Sequence, residues 1–333
     1  MTQPTLFAYL DHNVLDLMTK GDPDGICDLL QRTQLTPVFS NENLAEIQRS
    51  TGYEKRFLDV LDNIGARHLV PVMDGGFKYT GSAEIRQISP HDAYDVYVDN
   101  VDSLPDSGFG LTGMLQKFYG GRQDQSFSEI LSGGADELRQ LFQNLEEELT
   151  DVACLDKATR LEVSQAISRL PDLIEEQYNY VSKKLDAEPN SAIRQFEAST
   201  GIGPMVLKNI KPPEVVRQIW KLVEVSFQGV ELDLDTFFGI KPQPFEADAN
   251  RERTTLEKVN AVYHQLNFLG YYRDSQMSRP RRFVASFSDM THAGLASFCH
   301  ILICRDKDLV MKTAAAYEYL EVGTKIMYYG TSN

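Results

Sequence analysis

The 333-residue chain is poor in cysteine: it has four, Cys27, Cys154, Cys299 and Cys304, and no C-x-x-C pair among them. That excludes a disulfide framework as the source of stability and argues against a structural zinc. No apolar run is long enough to predict a membrane-spanning helix, and the first residues lack the basic flank and apolar stretch of a secretory signal. Basic residues are also scarce, 33 Lys and Arg against 48 Asp and Glu, for a formal net charge of −15. A surface that coats DNA or RNA non-specifically is therefore excluded, because that binding depends on cations facing phosphates. No internal repeat occurs, and no Walker A sequence is present. GLTGMLQKFYGG at 110–121 carries glycines at a spacing that does not suit a Walker A loop. The expectation is a soluble, cytoplasmic protein with no membrane partner.

With 42% hydrophobic and 24% charged residues, the chain has material for a substantial core. Its charge is segregated. Met277–Lys312 holds six basic residues (Arg279, Arg281, Arg282, Arg305, Lys307 and Lys312) against three acidic ones, whereas Glu146–Glu188 holds eleven acids against five bases. A basic mouth on an acidic body suits a selective nucleic-acid site; two solvated helix faces give the same pattern.

Residues 5–10 and LTPVFS at 35–40 read as strands, each followed by an amphipathic helical pattern: NVLDLMTK, then the stretch carrying Leu44 and Ile47 behind a Ser40 or Asn41 cap. ARHLVPVMD is strand-like, and the glycine- and proline-punctuated stretch after it suggests turns and short helices. Residues 127–185 are helical, with Pro171 either opening a helix or kinking it. PPEVVRQIWKLVEVS suggests a helix that starts at its prolines and buries Trp220, and TTLEKVNAVYHQLNFLGYY one that ends at Gly270. DMTHAGLASFCH reads as a helix opened by Asp289, ILIC at 301–304 as a buried strand, the residues after RDKDL as a helix, and TKIMYY as a last strand. Strand–helix alternation at both ends predicts an α/β fold with a central parallel sheet. The expected domains are 1–80 and 276–333 as two parts of that fold, with 81–275 a mainly α-helical inserted lobe.

Asp11 ends the first strand and Asp306 closely follows ILIC, the places where ligands bind at the carboxyl edge of a parallel sheet. Glu46 lies on the helix after the second strand, with Glu42 one turn earlier as the competing register. Gathered together, such carboxylates repel one another and raise each other's pKa unless a cation offsets the charge. Mg²⁺ or Mn²⁺, one ion or two, suits oxygen ligands of this kind. Each acid also has a plainer reading: Asp11, Asp289 and Asp306 as helix caps, Asp308 as an alternative to Asp306, and Glu46 as a surface glutamate.

YLDHNVLDLM at 9–18, SNENLAEIQRS at 40–50, SDMTHAGLASFCHILICRDKDL at 288–309 and the terminal TKIM together resemble the PIN-domain family. The resemblance implies a three-layer α/β fold with a central parallel sheet and a metal-dependent nuclease site, usually acting on RNA and sometimes on structured or single-stranded DNA. It places the family's acids on Asp11, Glu46, Asp289 and Asp306 as catalytic and metal-binding residues, with Asn13, Glu42 and Asp308 in support. It further implies cleavage that leaves a 3′ hydroxyl and a 5′ phosphate. The residues between the two matched ends are unmatched; they suggest a regulatory protein partner or self-association.

Arg279, Arg281, Arg282, Arg305 and Lys307 are the expected phosphate contacts, or they only keep the surface soluble. His12 and His292 lie beside proposed ligands and suit supporting or helix-surface roles. The Tyr271–Tyr272 and Tyr328–Tyr329 pairs are candidates for stacking on bases, though aromatics also fill cores. Two other functions compete. One is a non-enzymatic PIN-like scaffold whose acids only cap helices. The other is a haloacid-dehalogenase-like phosphatase, which normally needs a second aspartate two residues after the first, where this chain has Asn13.

Overall fold

In the computed structural model the described residues are 5–101, 111–151, 157–187, 192–229, 231–242 and 250–330. Cys154, the turns expected at 102–110 and parts of the acidic run, including Asp156 and Glu188, lie outside them. In chain order the elements are β1 (Leu6–Leu10), α1 (His12–Thr19), α2 (Ile26–Thr33), β2 (Leu35–Phe39), α3 (Asn41–Arg49), α4 (Glu54–Asn63), β3 (Arg67–Met73), β4 (Tyr79–Arg86) and α5 (Pro90–Val101). The helices α6 (Leu111–Phe118), α7 (Phe127–Asp151), α8 (Lys157–Asp186), α9 (Ala192–Thr200), α10 (Pro204–Leu207), α11 (Val215–Val223) and α12 (Leu234–Phe237) follow, with a 3-10 turn at Glu224–Phe227. The chain closes with α13 (Thr255–Leu269), α14 (Pro280–Ala296), β5 (Ile301–Cys304), α15 (Lys307–Tyr319) and β6 (Lys325–Tyr328).

The six strands form one sheet in the order β4-β3-β2-β1-β5-β6. β1 pairs in parallel with β2 and β5, β2 with β3, and β5 with β6, while β4 is antiparallel to β3. The sheet is thus mostly parallel rather than wholly so. TGSAEIR escaped the strand pattern because β4 is an edge strand whose side chains are mainly exposed, so burial left no apolar alternation to read.

Both faces of β1 are covered, and its residues alternate between them. Ala8 and Leu10 pack with Leu15, Leu44, Phe57 and Ile303, while Tyr9 packs with Val38, Tyr263, Ala293, Leu302 and Leu309. Burial on both sides is what parallel strands require, and it explains the near-continuous apolar strand sequences. β1 is also where the chain changes direction across the sheet: β2 and β3 lie to one side of it, β5 and β6 to the other. The carboxyl ends of β1 and β5 therefore border the crevice at which parallel α/β sheets bind ligands.

Two compact units are present: residues 1–100, 197–274 and 284–333 in one, and 101–196 with 275–283 in the other. Among the described residues no strand lies between β4 and β5, so this long interval is mainly helical. In the second unit, the Asp186 carboxylate at the end of α8 accepts from the Phe127 and Ser128 amides at 2.7 and 3.0 Å. It thereby caps the start of α7. GLTGMLQKFYGG supplies α6 rather than an anion-binding loop, and Pro171 lies inside α8. No helix among the described residues is long and apolar enough to cross a membrane.

Two helix starts differ from expectation. Pro212 and Pro213 precede α11 instead of opening it, and Glu214, with φ 61°, is its N-cap. More consequentially, α14 begins at Pro280, so Asp289 lies within a helix. The polar ASFS residues that precede Asp289, 285–288, are helical as well. Polar side chains at Ser286, Asp289 and His292, three apart, form one stripe of that helix. α14 comes so near α13 that a Cβ at Gly294 would collide with the Asn260 carboxamide.

Candidate functional site

Asp11 leaves β1 at the centre of the sheet, its amide donating to the Ile303 carbonyl of the neighbouring β5 at 3.0 Å. It occupies the N-cap position of α1 with extended backbone, but its side chain makes no capping bond. The carboxylate is 1% exposed, and Asn13 Nδ2 donates to it at 3.3 Å. Burial, then the charges of Glu46 and Asp306, push its pKa up to about 6, against the pull of His292 and Asn13. The cap reading of Asp11 therefore does not describe what its side chain does.

Asp289 stands on the polar stripe of α14, partly buried. Burial, followed by Asp11, Asp274 and Asp306, holds its carboxyl well above the usual carboxylate range. Being inside a helix it caps nothing, so no local backbone role accounts for a carboxylate there. Asp306 does have such a role: its Oδ1 accepts the Asp308 and Leu309 amides at 2.7 and 3.0 Å as the N-cap of α15. Asp308 is raised by burial, Asp306 and Asp274, and opposed by Lys312 and Lys307.

Glu46 is differently placed. Its Oε2 lies 2.8 Å from His292 Nε2 and 3.8 Å from His12 Nδ1, and Arg49 lies 3.7 Å from its other oxygen. Burial raises its pKa, but these neighbours, His292 first, overcome burial and bring it below the usual value. His292 is fully buried, and although burial disfavours its charge, Glu46 and Asp11 push its pKa up to about 9. As an imidazolium it donates from Nε2 to Glu46 and from Nδ1 to Tyr9 Oη at 2.7 Å. Tyr9 passes its own proton toward Ser40 Oγ at 2.7 Å, and Ser40 donates to Asn43 Oδ1 at 3.2 Å. Asn43 Nδ2 closes the chain on the Leu10 carbonyl at 3.1 Å. His292 is thus an interior counter-ion rather than a helix-surface residue. His12 is stacked on Phe57, with burial lowering its pKa. Glu42 faces Arg49 at 3.5 Å.

Several site residues carried no readable signal. Lys312, fully buried on α15, donates to Asp274 Oδ1 at 2.6 Å and to Asn267 Oδ1 at 3.1 Å, and lies 4.7 Å from the centre of the Tyr263 ring. Ser286 donates to the other Asp274 oxygen at 2.5 Å and accepts from Asn267 at 3.1 Å. A lysine three residues after Leu309 and four before Ala316, on the apolar stripe of its helix, was the one available clue. Asp274, in a loop, offered none. Arg49, which donates to Ser288 at 2.7 Å while its side chain stays 43% exposed, is a cation at this edge that stands outside the basic run of the sequence.

Of the expected phosphate contacts, Arg305 and Lys307 belong to the sheet-bearing unit, and Arg279, Arg281 and Arg282 to the other. Arg279, Arg281, Arg282 and Lys307 are exposed, and Arg305 is partly buried with its Nε unpaired. Trp220 is only partly buried and meets Phe237 at 5.3 Å between ring centres.

The donor chemistry at Asp11, Asp289 and Asp306 suits a hard divalent cation: all are oxygen ligands, and each is felt electrostatically by at least one of the others. As the side chains stand, no group of three or more His, Cys, Asp or Glu among the described residues forms a ready metal site. Compared with known proteins, the chain matches no family model, no curated protein and no solved structure.

Proposed function

We propose that the chain is a divalent-metal-dependent phosphodiester hydrolase, an endoribonuclease before a DNA nuclease, on a PIN-like three-layer arrangement. The observation that carries this reading is Asp11: a buried carboxylate at the carboxyl end of the central strand, without a capping bond and raised by burial and by acidic neighbours. Two carboxylates without a local backbone role, Asp11 and Asp289, beside a third at the adjacent strand end, are costly unless a cation joins them. Asp11, Asp289 and the Asp306 oxygen not used in capping would hold Mg²⁺ or Mn²⁺. The ion's chemistry would be to lower the pKa of a water and offset charge on the phosphate.

The protein's own groups divide the remaining work. Glu46 orients His292, and His292 places positive charge beside Asp11. Arg49, Arg305 and Lys307 supply cations for substrate phosphates. Mn²⁺-dependent cleavage of an RNA and DNA panel, abolished by Asp11→Asn in a folded protein, is the expected result. Absence of both cleavage and metal binding would sink the proposal. The second reading, a non-enzymatic scaffold, draws on two observations: Asp306 caps α15, and Glu46 is already paired with His292.

A further inference from the structure

Tyr263 projects from α13 into the core beside β1 and β5 and is 1% exposed, yet its hydroxyl has no hydrogen-bond partner among the described residues. A buried phenol left this way costs free energy that a phenylalanine would not, so a structural role alone does not explain the oxygen. Its surroundings are polar on one side. Lys312 lies 4.7 Å from the ring centre and is clamped by Asp274 and Asn267, the latter one turn along α13 from Tyr263. The charges that act on the phenol are, in order, Asp289, Asp274, Asp306 and Asp11. Burial and those acids hold the proton on the oxygen, so the group is a donor and not a base. The phenol is a donor that feels these carboxylates and donates to none of them.

We propose that Tyr263 Oη is a catalytic-site donor that hydrogen-bonds a non-bridging oxygen of a phosphate group bound at the Asp11–Asp289–Asp306 cluster. This rests on the reading that the cluster takes a divalent cation and a phosphate. A phenol donor adds a directed contact to an incoming oxyanion without adding charge to the crowded acids. Lys312, on the ring beside it, limits the negative potential the anion must enter.

Tyr263→Phe tests it, because only the oxygen is removed. Three quantities are measured on wild type and variant: Mg²⁺ binding by calorimetry, inorganic phosphate binding to the Mg²⁺-loaded protein, and single-turnover cleavage of an oligoribonucleotide. Mg²⁺ affinity should stay within about twofold. Phosphate affinity and cleavage rate should both fall by roughly tenfold to a hundredfold, the worth of a hydrogen bond to a charged oxygen. The melting temperature should hold or rise, since an unpaired buried hydroxyl has gone. Unchanged phosphate affinity in the folded variant overturns the proposal, and so does a lower melting temperature with unchanged phosphate affinity. If wild type binds phosphate in a Tyr263-dependent way but cleaves nothing, the donor stands and the nuclease reading falls. If wild type cleaves and the variant matches it, the reverse holds. A wild type that binds neither ion nor phosphate removes both.

Discussion

Two charged constellations meet at the carboxyl edge of the sheet, and they are built on opposite principles. In the Glu46–His292–Tyr9–Ser40–Asn43 chain each member has a partner, and the buried imidazolium answers a part-buried carboxylate. In the Asp11–Asp289–Tyr263 group burial and acidic neighbours raise both carboxyls, and the phenol has no partner among the described residues. A satisfied network stabilises one arrangement of β1, α3 and α14. An unsatisfied one persists only at a cost that the rest of the fold offsets, and such costs cluster at functional sites.

The contrast can be broken most forcefully on the satisfied side. His292→Ala leaves the part-buried Glu46 without its closest partner and should cost up to about 3–5 kcal/mol in urea unfolding, the scale for breaking a buried pair. A loss below about 1 kcal/mol would mean that the pair is solvated. On the other side the sign should reverse. Asp11→Asn removes a charge that folding disfavours, so stability near neutral pH should rise by up to about 3 kcal/mol, two pKa units at about 1.4 each. A variant both inactive and more stable would separate function from folding at one residue.

The pH dependence sharpens the same comparison. Asp11 has a folded pKa of about 6 against an ordinary 3.8, so the folded state holds the proton more tightly. Its contribution is present below the ordinary value and is lost as pH rises through about 6. His292 is raised from 6.5 to about 9, so its contribution is complete below 6.5 and is lost as pH rises through about 9. Stability should therefore fall in two separate windows, the lower removed by Asp11→Asn and the upper by His292→Gln. One window surviving both substitutions would reassign it to another group. The smallest effect is expected at the rim: Arg49→Ala should change stability by less than about 1 kcal/mol, as exposed ion pairs do, while reducing the salt dependence of RNA binding. An unchanged salt slope would remove Arg49 from the phosphate contacts.

Much of the sheet was legible because parallel strands buried on both faces must be apolar throughout, as FAYL and ILIC are. β4 was not, since an edge strand needs pairing but not burial. The acids at strand ends were legible for Asp11 and Asp306, whose position relative to β1 and β5 is local information. The expected place of Asp289 was wrong: ASFSD looks like a cap, yet the helix begins nine residues earlier and the aspartate lies inside it. His292 was noticed as a neighbour of Asp289, but its partners Glu46 and Tyr9 are 246 and 283 residues away in the chain.

By itself, the sequence determined what local chemistry controls: which segments become core strands, that Thr254 and Gly270 bound α13, and that Asp11 and Asp306 emerge at strand ends. Only the tertiary structure decided which charges are answered. Compensation depends on distance and burial, and both are set when β1, α3, α13, α14 and α15 pack together. The same packing gave His292 a carboxylate and Lys312 another, and left Tyr263 with none.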